Sequence, residues 1–90
     1  MRGAHVVIKG RVQGVGFRYW VEGEAVSRGL AGWVRNRRDG SVEAVFFGTD
    51  GAVNAMLAAC KEGPASALVT DVAVTDADET PSGFEIRRAL

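Results

Sequence analysis

The chain is short of nearly everything that catalytic side-chain chemistry normally uses. Its 90 residues contain one histidine, His5, and one cysteine, Cys60. A single cysteine excludes an internal disulfide and any cysteine-based zinc site. No His/Asp/Glu cluster has the spacing of metal ligands, so no metal site is expected, and no Gly-x-Ser-x-Gly elbow offers a nucleophile. No apolar run approaches the ~18 residues of a membrane span, and the start Met-Arg-Gly-Ala-His-Val lacks a signal-like apolar segment. A cytoplasmic protein with no membrane partner is the expectation. Prolines are limited to Pro64 and Pro81, and no linker or low-complexity tract interrupts the chain, so residues 1–90 are expected to form a single domain. His5 is expected to be a surface residue at the start of the first strand, and Cys60 to be core.

Net charge is zero, but its distribution is uneven. Residues 1–38 hold eight Lys/Arg against Glu22 and Glu24, whereas residues 39–90 hold three against nine acids. The basic half would draw in anions, although the same charges also fit a dispersed, solvated surface.

That basic half contains Gly10-Arg11-Val12-Gln13-Gly14-Val15-Gly16-Phe17-Arg18. It follows an alternating run and precedes a helical pattern, so it reads as a strand-to-helix turn with an arginine at its far end. Backbone N–H groups in such a turn can converge on an anion, helped by the helix N-terminus, and Arg18 adds a planar donor fork. Gly14 and Gly16 suit positive φ and a close approach to the backbone. The loop alone also fits a tight connection with a solvated Arg18. It is neither a P-loop, lacking Gly-Lys-Ser/Thr, nor a dinucleotide fingerprint, lacking the third glycine.

The periodicities give an element order. His5 to Val12 alternates like a half-buried strand, and Arg18 to Arg28 places Val21 and Ala25 on one helical face, with Gly29 as its stop. Leu30–Arg38 and Ser41–Gly48 are strand-rich around an Asp39-Gly40 turn. Asp50–Glu62 sets Val53, Met56, Leu57 and Cys60 on one helix face behind Thr49 or Asp50 as cap. Ala67–Thr75 alternates again, and Phe84 and Ile86 fit a short edge strand. The order βαββαβ points to an α+β, ferredoxin-like α/β sandwich: an antiparallel sheet with both helices on one face. There the third strand separates the first two, which run in the same direction. Asn36, near the end of the second, then lies close to the loop that carries Arg18.

Taken together, Ile8-Lys9-Gly10-Arg11-Val12-Gln13-Gly14-Val15-Gly16-Phe17-Arg18 and Gly32-Trp33-Val34-Arg35-Asn36, followed after three residues by Gly40-Ser41-Val42 and after five more by Gly48, closely resemble the two signature segments of the acylphosphatases. The resemblance covers nearly the whole chain. It implies hydrolysis of the carboxyl-phosphate bond of small acyl phosphates without metal or organic cofactor. It implies that Arg18 binds the phosphoryl group, that Asn36 orients the attacking water, and that Gln13, Gly14, Val15, Gly16 and Phe17 form the phosphate-binding loop. Inorganic phosphate is then both product and competitive inhibitor, and a monomer is expected. Gly23 within the first helix and the tail Arg87-Arg88-Ala89-Leu90 depart from the usual pattern.

The scarcity of catalytic groups suits such a reaction. A carboxylate leaves readily without being protonated, so position and charge stabilisation are the main requirements. Two other classes fit less well. An RNA-binding sheet of the same fold would stack bases on strand aromatics, but Ser41–Gly48 lacks the Lys/Arg-Gly-Phe-Gly/Ala-Phe pattern, and neutral charge removes the electrostatic footprint, so no nucleic acid partner is expected. A non-catalytic anion-binding module would use Arg18 but has little use for Asn36.

Overall fold

The structure is a computed structural model that describes residues 1–89; Leu90, the last residue of the Arg87–Leu90 tail, lies outside the described residues. Its elements are β1 (Arg2–Arg11), α1 (Phe17–Ser27), β2 (Ala31–Asn36), β3 (Val42–Gly48), α2 (Asp50–Glu62), β4 (Leu68–Asp76) and β5 (Phe84–Ile86). The strand order is β4-β1-β3-β2-β5. β3 pairs antiparallel with both β1 and β2, so those two strands run in the same direction and end at the same edge of the sheet. This is the ferredoxin-like arrangement expected from the element order. The sheet is mixed rather than wholly antiparallel, because β5 joins the far edge parallel to β2.

Alternation along the strands decides the two faces. Ala4, Val6 and Ile8 of β1, Val34 of β2, and Val42, Ala44 and Phe46 of β3 pack against Phe17, Val21 and Ala25 of α1 and Val53, Met56 and Cys60 of α2 in one buried cluster. Burial pushes the Cys60 thiol up to about 12, so it stays a protonated core side chain at neutral pH. α2 starts on Thr49, whose Oγ1 accepts from the Ala52 N–H at 3.2 Å, and Asp50 lies in its first turn. A side-chain cap and an acid together satisfy that helix's positive end.

The helix-free face carries a smaller cluster of its own. Val45 is fully buried there and Trp33 is only 4% exposed. The Trp33 indole donates to Glu79 Oε1 at 3.0 Å, and the Arg35 and Arg87 guanidiniums lie 4.9 and 4.6 Å from the centre of its ring. Phe46 is buried on the other face and Phe47 half-buried. The Trp33 ring is therefore engaged by two guanidiniums and by Glu79, and the Phe46 ring stacks on Phe84 at 6.0 Å between centres. His5 also differs from expectation. β1 begins at Arg2, since the long β3 offers pairing partners from Gly48 back to Val42, and His5 sits inside the strand, half-buried, with its Nε2 2.6 Å from Glu43 Oε2.

Candidate active site

The β1-α1-β2 crossover brings the two predicted halves of the site to one edge of the sheet. α1 packs over β2 and β5 and must run back along β2 to reach its start at Ala31, so its N-terminus lies at the edge where β1 and β2 end. Asn36 is the last residue of β2 and pairs with Val42, which also pairs with Ile8 of β1. Cross-strand partners share a face, so Asn36 points to the helix side, as Ile8 and Val42 do.

Between β1 and α1 the chain turns on two glycines in the left-handed region, Gly14 at φ 74° and Gly16 at φ 78°. Both are exposed, and a Cβ on either would meet nothing within 4 Å. Backbone conformation, not crowding by the protein, is therefore what selects glycine at these positions. Gly16 is the N-cap of α1 and supplies no side-chain cap, and the first turn holds no acid. The first intrahelical bond runs from the Trp20 N–H to the Gly16 carbonyl at 3.1 Å. The N–H groups of the first turn thus keep the donor capacity and positive potential that α2 satisfies with Thr49 and Asp50. The two helix N-termini therefore differ in what satisfies them.

The predicted loop residues divide by role. Phe17 is buried in the core, 5.4 Å from Trp20 between ring centres, so only its main chain can face an anion. Val15 packs against the core from the loop, and its carbonyl accepts from Ser66 Oγ at 3.1 Å. Gln13 turns its side chain away, donating from Nε2 to the Arg37 and Ser41 carbonyls at 2.7 and 2.9 Å. Arg18 is half-buried and joins none of the ion pairs found among the described residues, whereas Arg28, Arg35 and Arg87 pair with Glu24, Glu43 and Glu85. Asn36 Oδ1 is buried and accepts no hydrogen bond from a described residue, which makes it an acceptor in need of a donor. Among the described residues no three His, Cys, Asp or Glu side chains gather as a metal site would require, and no helix is long and apolar enough to cross a membrane.

Beyond Asn36 the hairpin is shaped by Asp39, which takes the Ser41 N–H at 2.9 Å and the Ser41 hydroxyl at 2.5 Å. The Ser41 hydroxyl, then the Ser41 N–H, hold the Asp39 carboxyl below its ordinary range. The roles of the Arg37 and Ser41 carbonyls in anchoring the loop left no mark in the sequence, because main-chain acceptors carry no residue signature, and the Ser66 hydroxyl reaches Val15 from 51 residues away, beyond any local pattern.

This two-part edge coincides with a family pattern: the acylphosphatase family model matches residues 4–86, spanning both segments. The chain belongs to the acylphosphatase family. It is 56% identical over 85 residues to an acylphosphatase of Azorhizobium caulinodans, covering 94% of this chain and 91% of that relative. The crystal structure of acylphosphatase from Bacillus subtilis superposes with a TM-score of 0.92 at 43% identity, covering 97% of this chain and 99% of that one. An acylphosphatase structure from Coxiella burnetii gives 0.91 at 36% identity, over 96% and 92% of the two chains. As a member of the acylphosphatase family, the chain is an enzyme that hydrolyses acyl phosphates.

Proposed function

We propose that this chain hydrolyses small acyl phosphates by in-line attack of water on a phosphoryl group held by Arg18 and the backbone loop of residues 13–17, with Asn36 orienting the water. The observation that carries this reading is the pairing at one sheet edge of an α1 N-terminus without a side-chain cap or first-turn acid and a buried Asn36 oxygen without a donor among the described residues. The first suits the phosphoryl oxygens; the second suits an O–H of water.

The chemistry follows from these groups. As the P–O bond to the carboxylate loosens, negative charge spreads over the phosphoryl oxygens, where the Arg18 fork and the loop N–H groups stabilise it. The departing carboxylate is stable as an anion, so no general acid is needed. Asn36 accepts a hydrogen bond from the attacking water; being neutral, it holds the water without removing its proton. That proton passes to an oxygen of the phosphoryl group itself, and the products are a carboxylate and inorganic phosphate. Simple phosphate esters, whose alkoxides leave poorly, are poor substrates. The same proposal has the chain acting as one domain, as a monomer in the cytoplasm, and without a metal or organic cofactor.

Hydrolysis of a small acyl phosphate by the purified protein tests the reading. Excess chelator should leave the rate unchanged, and inorganic phosphate should inhibit competitively. A rate lost to chelator and restored by a divalent ion would overturn the metal-free mechanism, and purely noncompetitive phosphate inhibition would place the anion site elsewhere.

A further inference from the structure

The Gln13 side chain joins the two halves of the site. Its Nε2 donates to Arg37 O at 2.7 Å and to Ser41 O at 2.9 Å, across sequence separations of 24 and 28 residues. Both amide hydrogens are engaged, and because both partners are carbonyl oxygens, only the nitrogen end of the carboxamide fits there. The same two carbonyls close the hairpin: Arg37 N–H donates to Ser41 O at 2.9 Å, and Gly40 N–H to Arg37 O at 3.2 Å. Arg37 is the residue bonded directly to Asn36. At its other end, Gln13 stands between Val12, buried in the core, and Gly14, the first left-handed glycine. Residues 12–16 belong to no helix or strand, so the ladder that positions Asn36 does not position them.

We propose that Gln13 is a positioning residue whose carboxamide sets the placement of the phosphate loop relative to Asn36, and that this side chain does not contact the phosphoryl group. The inference rests on the roles of the loop and Asn36 proposed above. With both N–H bonds given to main-chain carbonyls, the side chain has no donor left for a phosphoryl oxygen, and its own oxygen would repel one. In-line attack requires the water and the phosphoryl group to be held in register, and a displacement of about 1 Å can cost on the order of a hundredfold in rate. A two-point tie to the hairpin, with one point on the residue that follows Asn36 and the other on Ser41, is suited to prevent that displacement.

Gln13→Met keeps the length of the side chain and removes both donors. The expected result is a kcat lowered on the order of ten- to a hundredfold, with KM and the inhibition constant of inorganic phosphate changed less than about threefold. In an Asn36→Ala background, Gln13→Met should slow turnover further by less than about twofold, because a tie that works through Asn36 has nothing left to align. Gln13→Asn, one methylene short of the hairpin, supplies the same comparison should the methionine variant fail to fold. Losses that multiply in full in the double variant would mark a merely structural role and overturn the proposal. So would phosphate inhibition that weakens in step with kcat, since the side chain would then be a ligand. Fast turnover by Asn36→Ala alone would remove the water-orienting role and the tie with it, whereas slow Asn36→Ala with fully multiplying losses would sink the tie alone.

Discussion

His5 Nε2 donates to Glu43 Oε2 across 2.6 Å in the middle of the helix-free sheet face, while Arg35 Nε takes the other carboxylate oxygen at 2.8 Å. Burial favours the neutral acid, but the hydrogen bonds from His5 and Arg35 outweigh it and hold Glu43 below its ordinary value of 4.5. A carboxylate whose pKa is depressed by folding stabilises the fold fully above its unfolded pKa. That contribution is lost as pH falls through the lower folded value. Glu43→Gln should therefore cost about 1–3 kcal/mol at pH 7, and the gap to the parent chain should narrow below about pH 4.5. Denaturant midpoints at pH 7 and pH 3 measure it; a gap of constant size would show that Glu43 acts through packing rather than charge.

Gly23 lies in α1 on an exposed face, and a Cβ there meets nothing within 4 Å. Gly23→Ala should stabilise the protein by roughly 0.5–1 kcal/mol, raising Tm by a few degrees without altering activity. Gly32→Ala should do the opposite, because Gly32 has φ 144° and its Cβ would stand 1.8 Å from the Val45 carbonyl oxygen. Thermal melts of the two variants compare helix propensity with backbone collision directly. A destabilised Gly23→Ala would mean that the surface of α1 is covered in the working protein.

Arg18 is set at the open helix terminus with no acidic partner among the ion pairs of the described residues. Arg18→Ala should lower kcat/KM on the order of a thousandfold, and Arg18→Lys should recover little, since an ammonium cannot make two parallel hydrogen bonds to one phosphoryl group. Steady-state rates on a small acyl phosphate decide it. A lysine variant close to the parent would show that positive charge alone suffices.

Asn36 should separate turnover from binding. If its buried oxygen holds water rather than phosphate, Asn36→Ala should reduce kcat roughly a hundredfold while the phosphate inhibition constant barely moves. Asn36→Asp should weaken phosphate binding as well, because a carboxylate beside the loop repels the incoming anion. Single-turnover rates and phosphate inhibition on both variants distinguish the roles. Equal losses of binding and rate in the alanine variant would assign Asn36 to the anion site itself.

Much of this was legible in the residue order because the signals are local. Alternation in β1, the i, i+3, i+4, i+7 stripe of α2 and the Asp39-Gly40 turn each depend on neighbours a few residues away, and so does the demand for positive φ at Gly14 and Gly16. Element order with one central hairpin then brought Arg18 and Asn36 to the same edge. What the tertiary structure decided was non-local. His5 lies inside β1 because pairing with β3 extends that strand back to Arg2, and Phe84–Ile86 joins parallel to β2, which no periodicity within three residues can specify. Gln13 stood among the loop residues in the sequence, yet its side chain faces the hairpin because the two acceptors that hold it are main-chain oxygens of Arg37 and Ser41. Such acceptors are common to every residue type, so only folding selects which of them a given side chain meets.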